Sequence, residues 1–315
     1  MKLPTWNRYG AEAPTTEGVH ALINPADGRR GGVTDAEYHG WSLPSSSFLK
    51  NAGAHRSPAH MRAWLEADPT EPTKEMRMGT LTHGLAFEPG YTAAVLPDGI
   101  DLRTKAGKAA KAEATEKAEA EGLLICKQAE WDAARRMMDS INAHPEAGEI
   151  LGIGNAEASH EVAITHGGTK SKTDAVVPLG GRVAVADLKT CESAAPRDFQ
   201  RAAINAGTHI QMAHQLAHVS RASARWADTG EPTGILPDGM ANFCTAYVVA
   251  VENTHPHSVV VYRLDDWAID AAMHIRDERI KAYQHAVATS AWHGYPSGVV
   301  DIDIPQWALP DCMKG

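Results

Sequence analysis

The sequence predicts an α/β (α+β) fold, a mixed central sheet of about five strands flanked by helices. Two observations carry this. Three β-patterned runs, 161–165, 173–177 and 182–188, follow one another, with turn-forming Gly167-Gly168 and Leu179-Gly180-Gly181 between them. Beyond them come a long helical stretch, two more β runs and a closing helix, and this order of strands, crossover helix, strands and helix builds a mixed sheet.

Residues 1–42 are rich in Pro and Gly, with GRRGG at 28–32, and are expected to form an irregular N-terminal arm. Residues 43–315 read as one domain with a helical N-terminal part (43–150), a core (155–290) and a tail (291–315). Pro44 and the serines that follow it offer the start of a short helix at 45–50. Ser57-Pro58 opens a second, with the serine as cap and the proline at the first helical position, ending near Asp68-Pro69. A third begins around Lys74, carries Met76, Met78, Leu81, His83 and Leu85, and closes at Glu88-Pro89-Gly90. Gly79 and His83 stand one turn apart on one face of that helix, and the glycine permits close approach of another chain or of the strand ends. A lone histidine in so apolar a turn is more often a packed core residue than a ligand.

Residues 101–122 are alanine-rich with Lys/Glu pairs such as Lys117/Glu121, the pattern of a solvated helix. Its basic start (Arg103, Lys105, Lys108, Lys111) fits a solvated face better than a DNA contact. An amphipathic helix over 129–141 places Trp131, Ala134, Met138 and Ile141 on one stripe. The helical region 196–225 is broken at Gly207, and beyond the break Gln211 faces the strand ends if the helix packs directly on the sheet. Strands at 243–251 and 258–262 and a helix at 265–288, capped by Asp265 or Asp266, complete the core.

The chemistry concentrates where the third β run ends. Side chains alternate along a strand, so Val183, Val185, Asp187 and Lys189 share one face, while Ala184, Ala186 and Leu188 share the other. That face starts apolar and turns charged at its exit, with a carboxylate and an ammonium about 7 Å apart. Asp174 lies at the start of the neighbouring strand. Two carboxylates converging there would hold a divalent cation through hard oxygen ligands, and the lysine would orient an attacking water: a metal-dependent phosphodiesterase site. An aspartate and a lysine two apart are also the pattern of an edge-strand salt bridge, and the motif alone leaves both readings open.

Composition narrows the classes. The chain has 315 residues, 43% hydrophobic and 22% charged, ordinary for a globular protein with a full core. No run of about 20 apolar residues spans a membrane, and MKLPTWNRYG lacks the apolar centre of a signal peptide. Cys126, Cys191, Cys244 and Cys312 are scattered and read as reduced thiols of a cytoplasmic protein. The formal net charge of -9 argues against a broadly basic nucleic-acid coat but not against a groove lined by a few cations. The 16 histidines contain no HExxH pattern.

The stretches at 45–66, 76–89 (MRMGTLTHGLAFEP), 161–177, 183–190 (VAVADLKT), 199–217 and 291–308 together resemble the exonuclease VIII (RecE-type) nuclease domain, a phage and prophage branch of the PD-(D/E)XK superfamily related in fold to phage lambda exonuclease. The resemblance implies a restriction-endonuclease-like core. It implies that Asp174 and Asp187 are metal-binding carboxylates, with Glu161 (or Glu157) and His83 as further metal-site residues. Lys189 would be the water-orienting lysine and Gln211 the helical glutamine near the active centre. Lys172 stands where the family has arginine, and Thr208 and Gln215 where it commonly has aromatics. Relatives of this kind use Mg²⁺, with Mn²⁺ as a substitute. They degrade linear double-stranded DNA from the 5′ end, leave a 3′ single strand for a partner annealing protein, and act as ring-shaped homo-oligomers in the cytoplasm of a bacterial host. A structure-specific or restriction-type endonuclease of the same fold, and a non-catalytic DNA-end-binding protein, are the alternatives.

Overall fold

In the computed structural model, residues 33, 35–41, 43–51, 57–67, 72–96, 103–179, 181–229 and 244–313 are described. The sheet forms where the period-2 pattern places it. Strands β3 (Ser159–His166), β4 (Thr169–Leu179), β5 (Arg182–Cys191), β6 (Cys244–Glu252) and β7 (Val259–Arg263) lie in that order. β5 and β6 run parallel, because a helical crossover joins them, and the other pairs are antiparallel. Before them come α1 (Asp35–Gly40), α2 (Ser46–Asn51), α3 (Pro58–Glu66), α4 (Lys74–Phe87), β1 (Ala94–Leu96), α5 (Lys105–Glu121), β2 (Ile125–Lys127), α6 (Gln128–Ala143) and α7 (Ala147–Ile150). α8 (Pro196–Asn205) and α9 (Thr208–Thr229) form the crossover, and α10 (Asp266–Thr289) follows the sheet.

Both faces of β5 are buried, on the parity its sequence dictates. Ala184, Ala186 and Leu188 pack with Met78 and Leu81 of α4 and with Met137 and Ile141 of α6. Val183 and Val185 pack with Phe199 of α8 and with Met212 and Val219 of α9. A third cluster seals the flank, where Phe48 and Leu49 of α2 meet Ile210 of α9 and Ile280 and Tyr283 of α10. The site described below therefore sits on a strand fixed from both sides.

The element ends follow local chemistry. Thr73 caps α4 by accepting the Met76 N–H at 3.2 Å, and Asp265 caps α10 by accepting the Ala268 N–H at 2.7 Å. Ser57 holds the cap position of α3 with Pro58 after it, but its hydroxyl bonds His60 Nδ1 instead of the backbone. Gly207 takes φ +70 between α8 and α9, and a Cβ there would come within 3.0 Å of Lys50 Cγ. Two features differ from the sequence expectation. Asp35–Gly40 is helical within the stretch expected to be irregular, and residues 1–32 of that arm lie outside the described residues. Three-residue β1 and β2 pair in parallel, too short to show a period. Phe243, the expected start of β6, and the Lys117 side chain also lie outside the described residues. Among the described residues, no helix is long and apolar enough to cross a membrane.

Candidate active site and metal centre

The register of the first three core strands places three carboxylates in one row. Ala175 pairs with Ala186, so Asp174 stands level with Asp187 one step on. His160 pairs with Ala175 and Val162 with Thr173, so Glu161 is level with Asp174. The β4–β5 ladder stops at Ala175–Ala186, and the strands part just where the carboxylates begin. The backbone groups freed by that parting are answered by side chains. Asp174 Oδ2 accepts the Leu188 N–H at 2.9 Å, and His83 Nε2 donates to the Leu188 carbonyl at 2.8 Å.

That second bond fixes the tautomer of His83. A carbonyl needs a donor, so Nε2 carries a proton, and Nδ1 faces Asp174 Oδ2, 3.6 Å away. The histidine is thus more than a core residue. It reaches the strand ends from α4, where Gly79 lies beside Thr190; a Cβ on Gly79 would make an ordinary 3.6 Å contact with Thr190 Oγ1, so the approach does not require glycine.

Glu161 adopts φ +52 within β3, a left-handed conformation that costs a non-glycine residue of order 1–3 kcal/mol. In that conformation its carboxylate joins the row: His83, Glu161 and Asp174 each offer a ligand atom within 4.8 Å of the others. Two carboxylate oxygens and an imidazole nitrogen form a donor set that can take a divalent cation such as Mg²⁺ or Mn²⁺. Glu157, the other acidic residue considered for this role, is exposed in the turn before β3.

Asp187 is held differently from the expectation that it ligates directly. Its side chain is 0% exposed; Oδ2 lies 2.5 Å from Lys189 Nζ, and Oδ1 accepts from Gln211 Nε2 at 2.5 Å. Oδ1 is taken by Gln211, whereas Oδ2 is paired with Lys189 by charge and accepts no hydrogen bond among the described residues. The carboxylate stands outside the His83–Glu161–Asp174 donor group, on the same strand face as Lys189. Gln211 reaches it from the first turn of α9. Lys172, which replaces the expected arginine, pairs with Glu161. Gln215, in place of an aromatic residue, donates to the Lys172 carbonyl at 2.9 Å.

The electrostatics follow from this crowding. Burial first, and then the neighbouring Asp187, push Asp174 up to about 6, against the downward pull of His83 and Lys189. Burial works to lower Lys189, but the Asp187 and Asp174 carboxylates outweigh it and leave its pKa raised, so the ammonium stays charged. One charged group escapes the sequence reading. Lys50 of α2 donates to Gln211 Oε1 at 2.8 Å, a partner 161 residues away that no local pattern announces.

A mixed sheet clasped by helices, with carboxylates and a lysine where two strands part, is the architecture of a PD-(D/E)XK-like nuclease core. Residues 45–302 match the family described as "PDDEXK-like domain of unknown function (DUF3799)", and the chain belongs to it. A putative exonuclease from Eubacterium rectale is similar in fold, with 12% identity, a TM-score of 0.51, and coverage of 94% of this chain and 97% of that one. A phage-related exonuclease from Haemophilus somnus 129PT aligns over 91% of this chain and 99% of its own at 12% identity, but its TM-score of 0.34 carries no structural argument. No curated protein matches the chain.

Proposed function

We propose that this protein is a Mg²⁺-dependent exodeoxyribonuclease of the RecE type, which hydrolyses linear double-stranded DNA 5′ to 3′ and leaves a 3′ single strand. The observation that carries the reading is the row Glu161–Asp174–Asp187 where β4 and β5 part, with Glu161 level with Asp174 on β3 and Lys189 beside the last member. His83, Glu161 and Asp174 would hold the cation, which when bound supplies Lewis acidity toward a phosphate oxygen and acidifies a coordinated water.

The chain's own residues do the rest. Lys189 offers a charged ammonium beside the carboxylate row, where it would orient the attacking water and offset negative charge that builds in the transition state. Asp187 holds that ammonium, and Gln211 holds Asp187. Lys172 neutralises Glu161 until a cation replaces it. Linear duplex ends are the substrate, a single-strand annealing protein the downstream partner, and a homo-oligomeric ring the working form of this reading.

The test compares end-labelled linear duplex with a covalently closed circle of the same sequence, with Mg²⁺ and again with EDTA. Progressive release from the 5′ ends of the linear DNA, an untouched circle, and no product in EDTA are expected. Nicking of the circle would replace the reading with an endonuclease of the same fold. End binding with no product under any divalent cation would replace it with a non-catalytic end-binding protein.

A further inference from the structure

Two of the three lysines at the site meet carboxylates, Lys172 at Glu161 and Lys189 at Asp187. Lys50 meets a neutral group. Its ammonium donates to the amide oxygen of Gln211, and among the described residues no carboxylate lies within ion-pair distance of it. Its stem runs along Gly207, which allows Lys50 to reach the first turn of α9 from the end of α2. The amide of Gln211 then bridges inward, with Nε2 on Asp187 Oδ1 at 2.5 Å. One amide thus separates Lys50 from the carboxylate row.

The balance of charge gives this arrangement a direction. The carboxylates of Glu161, Asp174 and Asp187 balance the ammonium groups of Lys50, Lys172 and Lys189. A divalent cation would leave the site with surplus positive charge, which favours an anion beside it. Lys50 is the ammonium not committed to a carboxylate, and it stands at the positive end of the α9 dipole. Burial and the nearby Lys189 push it down to about 8, while Asp187 and Asp174 draw it upward, so it carries its charge at neutral pH. Exchanging an amide oxygen for a phosphate oxygen would turn a neutral hydrogen bond into a charge-assisted one.

We propose that Lys50 binds a non-bridging oxygen of a DNA phosphodiester next to the metal-ligating carboxylates, and that Gln211 holds its ammonium in place while no DNA is bound. This assignment takes its substrate class from the nuclease reading above. It adds a phosphate-binding cation from α2, an element that carries none of the site residues expected from the sequence.

The experiment measures binding of a short labelled linear duplex by anisotropy across a range of salt concentrations, with Ca²⁺ in place of Mg²⁺ and the duplex verified intact. Lys50→Met keeps the stem that packs on Gly207 and removes the charge; Lys50→Arg keeps a charge. Melting temperatures establish that each variant is folded. For Lys50→Met the plot of log K against log salt should be shallower by about one unit, as removal of one ammonium from one phosphate requires, while Lys50→Arg keeps the wild-type slope. A folded Lys50→Met with the wild-type slope overturns the assignment and leaves the nuclease reading standing. A reduced slope in a protein whose wild type never cleaves with Mg²⁺ supports the role of Lys50 and overturns the nuclease reading. A wild type that does not bind duplex overturns both.

Discussion

Asp174 shows at the scale of one residue what the site costs the fold. Its carboxyl ionises at about 6 in the folded chain against a reference of 3.8, so the folded protein binds the extra proton between those values. By linkage, folding is then penalised as pH rises through that window, in full above about 6 and not at all below about 4. Metal-free Asp174→Asn should therefore melt higher than wild type at pH 7, by an amount of order 1–3 kcal/mol, and lose that advantage at pH 4. Parallel thermal melts in EDTA at the two pH values check this; equal stability at both would remove the crowding argument. The same protonation opposes a cation, so Mg²⁺ affinity, read by calorimetry, should fall as pH drops below about 6.

Lys170 couples burial to stability at the scale of an element. It is 4% exposed at the start of β4, where its Nζ donates to the carbonyls of Tyr38 at 2.5 Å and Trp41 at 2.6 Å and lies 4.7 Å from the centre of the Tyr38 ring. Its backbone N–H donates to Pro44. One lysine thus fastens α1 and the approach to α2 onto the sheet. Burial lowers its pKa from 10.5 to about 7, so the unfolded chain holds the proton more tightly, and stability from this group rises with pH between about 7 and 10.5. Wild type should gain on Lys170→Met across that interval, with a slope of up to about 1.4 kcal/mol per pH unit, measured by denaturant melts of both proteins. A constant difference between them would show that Lys170 is equally charged in both states.

What could be read from sequence divides along the same line. The face shared by Asp187 and Lys189 was legible because a strand alternates with period two and hydrophobic residues on both faces of β5 fix its orientation. Gln211 was legible to the extent that α9 lies directly on the sheet, which its contact with Asp187 bears out. The helix at Asp35–Gly40 was not legible, because a buried lysine on a distant strand, not its own composition, anchors its end. Nor was the left-handed backbone of Glu161, since a glutamate in a β-patterned run gives no sign of positive φ. The separation of Asp187 from the His83–Glu161–Asp174 donor group depends on where a ladder ends, a tertiary property that parity alone does not contain.

At the scale of the whole molecule, the two-sided burial of β5 and the docking of α4 and α9 on opposite faces hold donors from separate parts of the chain at one point. The proposed function requires that this point hydrolyse DNA with Lys189 as an active participant. Lys189→Ala leaves the buried Asp187 with Gln211 alone, which should lower metal-free stability by order 1–3 kcal/mol. The decisive measurement is therefore single-turnover hydrolysis of a labelled linear duplex with saturating Mg²⁺, at a temperature well below the melting point of the variant. Folded Lys189→Ala should bind duplex like wild type and form product slower by orders of magnitude. Nearly full hydrolysis by that variant would contradict the proposed role and reduce Asp187–Lys189 to a salt bridge.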